Sequence, residues 1–351
     1  MTFDSFFKGK RIFVTGHTGF KGSWLCHWLI SLGAQVYGYS LGRPYPISCY
    51  SSISLDAKVK HSFVGDIADY DSLLAAVNIV NPNITFHLAA QSIVSESYNN
   101  PLSTYSSNVI GTLNLFEALR NTSNDGIAVF VTSDKCYENV ETYYGYRETD
   151  PMGGHDPYSS SKACAEILLS SMARSYPNRR FVMATARAGN VIGGGDWSQS
   201  RIIPDCIRSW MTNKPVIIRS PKSTRPWQHV LEPLSGYLQL AYLLSSNYDL
   251  DSQSFNFGPT NGSVVTVEDV VSLMATKFTY SEFEIQPESS IGKEAGLLSL
   301  DISKAMNLLS WKPRLSSYQS IDLTASWYAS YLSGTDAQLL HTNDLDFFLS
   351  R

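Results

Sequence analysis

Apolar residues in this chain fall alternately into short continuous runs and helically spaced ones. Arg11–Thr15 is a compact, β-branched run, a Gly-rich turn follows, and Ser23 to Ile30 carries apolar residues at helical spacing. The pattern predicts strand, loop, helix. Gly33 stands at a helix C′ position and residues 35–40 resume as a second strand, which completes a βαβ unit within about 30 residues. The rhythm continues with a strand at 62–64, a helix from Asp69, a strand at 84–88, a helix from Val109 to Leu119 and a strand at 127–131.

Alternation of this kind predicts an α/β fold built on a Rossmann, doubly wound parallel sheet. The strands read as unbroken apolar runs, which suits a sheet covered by helices on both faces. After about residue 190 the rhythm loosens into Gly193 to Gly195, prolines and longer polar connections, with helical stretches near Glu268 and Ser303. The chain therefore divides into a dinucleotide-binding domain over 1–189 and, over 190–351, a smaller interleaved C-terminal substrate-binding lobe. Residues 254–257 are a candidate strand returning to the first sheet.

Composition narrows the function classes. A formal net charge of −4 over 351 residues gives no basic field for nucleic acid, and no 18-residue apolar run is present to cross a membrane. Residues 1–10 lack the continuous apolar core of a signal peptide. The five cysteines have no paired C-x-x-C spacing, against both a disulfide framework and a zinc site. These features predict a cytoplasmic protein without a metal.

Three stretches carry candidate chemistry. Gly16, Gly19 and Gly22 sit between strand and helix, where a tight turn, close approach to a pyrophosphate and close helix packing each require glycine. The acidic residue usual after the second strand is replaced by residues 40–43, so Arg43 is either a partner for a 2′-phosphate or a solvated loop residue. Asp66 and Ile67, after the third strand, suit an adenine edge, with a helix N-cap as the alternative for Asp66. Tyr158 and Lys162 are four residues apart and share one helical face, the arrangement of a phenol base tuned by a neighbouring ammonium. Ser133, Asp134 and Lys135 follow a strand, where such a sheet presents its ligands. The serine is placed to hydrogen-bond a substrate hydroxyl, and the other two form a candidate acid and base pair, with a turn cap for Asp134 and a solvated Lys135 as the alternative.

With these residues the chain resembles the extended short-chain dehydrogenase/reductase superfamily and, within it, the CDP-glucose 4,6-dehydratase branch. The carriers are residues 15–22, 87–91, 108–112, 132–139, 156–162, 186–197 and 224–233. Lysine after Asp134 marks that branch, because dTDP- and GDP-sugar dehydratases have glutamate there. The resemblance implies a tightly held NAD, bound by Gly16, Thr18, Gly19, Phe20, Lys21, Gly22, Asp66, Ile67, Leu88, Ala89, Ala90, Gln91, Thr132, Tyr158 and Lys162. It implies a nucleotide-sugar substrate, CDP-glucose, contacted by Asn190, Arg201, Arg219 and Arg225, while Trp227 and His229 either contribute or only pack.

Catalysis would use Ser133, Asp134, Lys135, Tyr158 and Lys162, in a hydro-lyase of deoxysugar and O-antigen biosynthesis that forms a homodimer or higher homo-oligomer. Lys293 stands where relatives have histidine near the nucleotide. Two rivals stay open: a dehydratase or epimerase of another nucleotide sugar, and a silent NAD-binding regulator on the same fold.

Overall fold

The computed structural model describes residues 2–43, 47–122, 125–260, 265–286 and 297–351. Seven strands form one parallel sheet: β1 (Arg11–Thr15), β2 (Gln35–Ser40), β3 (His61–Val64), β4 (Ile84–His87), β5 (Gly126–Val131), β6 (Phe181–Ala188) and β7 (Gln253–Phe257), in the order β7-β6-β5-β4-β1-β2-β3. The order reverses beside β1, so the crevice at the carboxyl ends of β1 and β4 is where this architecture places ligands. Residues 253–257 enter as the edge strand, parallel to β6, and carry a late segment of the chain back to the first sheet.

The covering helices include α1 (Phe20–Ser31), α2 (Tyr70–Val80), α3 (Gly111–Arg120), α4 (Pro157–Ser175), α5 (Ile202–Met211), α6 (Leu231–Leu244), α7 (Ser317–Leu332) and α8 (Ala337–Leu349). Local chemistry sets their ends. Asp69 caps α2 by accepting the Ser72 N–H at 3.2 Å, and Asn81 closes it in the left-handed region. Asp156 caps α4 by accepting from Ser159 N at 2.9 Å, and Pro157 occupies the first turn, where its missing N–H costs nothing.

Helical content in the second half exceeds the two stretches expected there. In α6, residues 231–238, 240, 241 and 244 are buried, so that helix lies in the core on nearly every side and leaves no amphipathic period to read. The helix expected from Val109 begins as a π-turn over Ser106–Ile110 before α3, the kind of helical irregularity found at functional sites.

Candidate active site

A continuous cleft of about 1860 Å³ runs along the carboxyl edge of the sheet, and the residues singled out above for catalysis, cofactor or substrate line it, apart from His229, which is buried outside it, and Lys293. Its volume exceeds the roughly 300–1,000 Å³ of an ordinary small-molecule site, which leaves room for two ligands side by side. Lys293 lies outside the described residues.

One half of the cleft is built from backbone. Gly16 turns the chain out of β1 with φ +74°, and a Cβ there would stand 2.7 Å from the Ala89 nitrogen. At Gly22 an added Cβ would stand 2.2 Å from the Gly16 oxygen, so α1 is drawn against the turn. Gly19 faces more open space, its nearest neighbour being that same oxygen at 3.3 Å. The first-turn N–H groups of α1, which helix geometry leaves without an intrahelical partner, therefore meet the cleft with no side chain at Gly16, Gly19 or Gly22 to hold a ligand off. A dinucleotide pyrophosphate fits this cradle.

Around the loop, Thr18 Oγ1 donates to the Gly42 carbonyl at 2.6 Å. Arg43 is paired with Asp56 at 3.2 Å, both side chains half exposed. Asp66 caps no helix: its carboxylate accepts the Ala68 N–H at 2.9 Å, while Asp69 caps α2. Gln91 is pinned by Asn108, whose side chain accepts the Gln91 N–H at 2.9 Å and donates to Ser161 Oγ at 2.8 Å. The π-turn thus ties the β4 loop to α4. Asn108 was visible in sequence only as one position of a motif, because nothing in its spacing shows that it bridges two elements.

The other half is built from side chains. The short 3₁₀ turn Asp134–Cys136 follows β5, and Ser133 caps it by accepting the Lys135 N–H at 3.2 Å. The Ser133 hydroxyl donates to Asp134 Oδ1 at 3.0 Å, and Asp134 Oδ2 is buried without a partner. Burial raises the Asp134 carboxyl above the ordinary range, against Lys135, the Ser133 hydrogen bond and Arg225. A carboxyl held in this way is suited to giving a proton.

On α4, burial pushes the Tyr158 phenol up to about 12, with a Ser133 hydrogen bond and Arg201 opposing and Asp134 reinforcing. The depression of the phenol expected from Lys162 is not seen: loss of hydration raises it instead. Lys162 itself is lowered to about 8 by burial, which Glu166 and Cys136 oppose. Lys21 is more perturbed than its place in a glycine loop suggested. Burial, Arg201 and Lys162 lower it to about 7, Asp134 opposes, and its Nζ lies 3.4 Å from the Tyr237 hydroxyl.

Toward the second lobe, Arg201 reaches Asp196 Oδ2 at 3.1 Å and Ser92 Oγ at 3.5 Å, spanning the cleft. Arg225 Nη1 donates to the Thr224 carbonyl at 2.8 Å, and Arg219 lies in the field of Asp205. Trp227 is buried and donates to the Val265 carbonyl at 3.0 Å, and His229 packs edge-on to Trp24. Trp227 also borders the cleft, whereas His229 does not line it and only packs.

Residues 13–324 match the family described as GDP-mannose 4,6 dehydratase. A CDP-glucose 4,6-dehydratase of Salmonella typhimurium is 43% identical over 99% of this chain and 98% of its own length. The chain belongs to the GDP-mannose 4,6-dehydratase family. Among solved structures, a UDP-glucose 4-epimerase of Thermotoga maritima with UDP-glucose superimposes with TM-score 0.77 at 22% identity, covering 92% of this chain and 99% of that one. A dTDP-glucose 4,6-dehydratase of Bacillus anthracis in complex with NAD gives TM-score 0.75 at 21% identity, covering 92% and 97%. At such identities the superpositions establish the shared fold.

The GDP-mannose 4,6-dehydratase family thus supplies the frame in which the two halves of the cleft face each other. Among the described residues no helix is long and apolar enough to cross a membrane.

Proposed function

We propose that the protein is an NAD-dependent hydro-lyase that converts CDP-D-glucose to CDP-4-dehydro-6-deoxy-D-glucose. The observation that carries this reading is the Asp134-Lys135 pair at the end of β5, in one cleft with Tyr158 and Lys162. The substrate follows the 43% identical relative named for that reaction. The pairing of Arg43 with Asp56 supports its reading as a loop residue, and hence NAD without a 2′-phosphate.

NAD, when bound, supplies the acceptor for the C4 hydride, the donor that returns it to C6, and a positive ring charge. Tyr158, as phenolate, takes the proton of the sugar 4-hydroxyl, with Lys162 one helical turn away holding positive charge beside it. Ser133 hydrogen-bonds the reacting hydroxyl. Once C4 is a ketone the C5 proton is acidic. Lys135 removes that proton, and Asp134 gives its proton to the departing 6-hydroxyl, so water leaves across C5 and C6. Lys135 then returns a proton to C5. The raised Asp134 carboxyl fits its part as donor. Arg201, Arg219 and Arg225, with Asn190, hold the diphosphate end, where planar guanidinium forks match phosphate oxygens.

We assign residues 1–189 to the cofactor domain and 190–351 mainly to the substrate lobe, in a cytoplasmic enzyme of O-antigen deoxysugar synthesis. Self-association through the first domain is supported by the exposed apolar side chains Leu102, Ile110 and Ile167. The deciding experiment incubates the protein with NAD and CDP-, dTDP-, GDP- or UDP-glucose. The alkaline ultraviolet absorbance of a 4-keto-6-deoxy product is expected from CDP-glucose. Equal turnover of all four removes the cytidine assignment, and no product from any removes the dehydratase.

A further inference from the structure

Beneath the strap Thr132 to Tyr137 lies an ion pair that the steps above do not use. Arg187, on β6, donates from Nη2 to Glu166 Oε2 on α4 at 2.8 Å, with side chains only 3% and 2% exposed. A buried pair of this kind is a poor source of stability, since desolvation offsets its attraction and apolar replacements of equal size hold a fold as well. What distinguishes this pair is its contacts. Thr132, which opens the strap, donates its hydroxyl to Glu166 Oε1. Tyr137, which ends it, accepts from Arg187 Nη1 at 2.7 Å and donates to Asn256 Oδ1 at 2.7 Å.

Both ends of the segment bearing Ser133, Asp134 and Lys135 are therefore fastened to one pair. Glu166 also lies one turn beyond Lys162 on α4, so the helix that carries Tyr158 and Lys162 is fastened there too. We propose that the Glu166–Arg187 pair is a positioning element that fixes the dehydrating strap in register with the oxidising face of α4. Neither residue lines the cleft. Both act through the groups they hold. Burial pushes the Glu166 carboxyl up, but Arg187 and the hydroxyls of Thr132 and Thr185 hold it below the ordinary range, so the clamp stays charged.

The proposal rests on the dehydratase reading, and its test separates the two. Wild type, Tyr137→Phe and Glu166→Gln are compared well below their melting temperatures. Tyr137→Phe keeps the ring and cuts both hydrogen bonds without altering a cleft-lining residue. Misplacing a reacting group by about 1 Å costs about 100-fold, so kcat should fall roughly 10-fold in Tyr137→Phe and about 100-fold in Glu166→Gln, with KM for CDP-glucose and Kd for NAD within about twofold. Because Tyr137→Phe alters no residue of α4 and leaves the Glu166 charge beside Lys162, the near-ultraviolet absorbance of reduced nicotinamide should build up during its turnover.

A lowered melting temperature with kcat within about twofold of wild type makes the pair structural only and overturns the proposal. Equal slowing without that build-up overturns it as well. If Glu166→Gln does not fold, Tyr137→Phe decides. Wild type inactive on CDP-glucose brings down the dehydratase reading, and the proposal with it.

Discussion

The Gly16–Gly22 loop and the Thr132–Tyr137 segment both leave a parallel strand at the carboxyl edge of the sheet, and they face one cleft. They are made in opposite ways. The loop works by lacking side chains: its shape comes from atoms packed so closely that a methyl group at Gly16 or Gly22 would overlap backbone. The strap works through side chains, and it holds its shape because a charged pair beneath it anchors both ends. A backbone-built site should break when atoms are added, and a side-chain-built site when atoms are removed. The first kind of damage costs binding, and the second costs chemistry.

The largest expected effect is on the strap. Lys135→Ala should lower product formation by about 100- to 1,000-fold, within the range a positioned acid or base contributes. Oxidation at C4, followed as reduced nicotinamide in a single turnover, should remain measurable, because Tyr158 and Lys162 are untouched. Undiminished dehydration would remove Lys135 from the C5 step and leave Asp134 as the candidate base.

This asymmetry also explains what could be read from the chain. The sheet was legible through β5 because apolar runs and helical spacings alternate there, and the glycine loop because its spacing records a steric need. Tyr158 and Lys162 were legible because four residues on a helix define a face. Asn108, Glu166 and Arg187 were not. Each matters through a partner distant in sequence, such as Glu166 to Thr132 and Arg187 to Tyr137, and no periodicity encodes such pairs. The α6 helix was missed for a related reason, being buried on nearly all sides. The lowering of the Tyr158 phenol expected from Lys162 failed because burial, which no spacing reveals, pushes it the other way.

Within the loop a second test separates fold from binding. Gly22→Ala sets a methyl 2.2 Å from the Gly16 oxygen, and overpacking of this kind costs roughly 1–3 kcal/mol. It should lower both the melting temperature and NAD affinity. Gly19→Ala meets only the Gly16 oxygen at 3.3 Å, so the fold should tolerate it while the methyl stands where a pyrophosphate would approach. Its melting temperature should stay close to wild type, with Kd for NAD weakened about tenfold, roughly 1.4 kcal/mol. Titration of intrinsic tryptophan fluorescence with NAD reads this directly. Equal affinity in Gly19→Ala and wild type would mean that the loop contributes only to packing.

The smallest effect sharpens the same contrast with two buried carboxyls. Glu166 stays charged because Arg187 and two hydroxyls meet it, whereas Asp344 on α8 is buried with one oxygen unpartnered, and burial pushes it up to about 8. An unfolded aspartate titrates near 3.9, so between about pH 4 and pH 8 the folded chain binds the extra proton. Stability from this group is then fully present below about pH 4 and is lost as pH rises through about 8. Glu232, raised to about 7 by burial although it accepts the Arg314 and Leu315 N–H groups, adds a second loss of the same sign. Asp344→Asn keeps the shape and cannot ionise, so the fall in melting temperature between about pH 6 and pH 9 should shrink by a few degrees without vanishing. An unchanged fall would place the titration on another group. A larger fall would mean that the Asp344 charge is met by a partner, as that of Glu166 is.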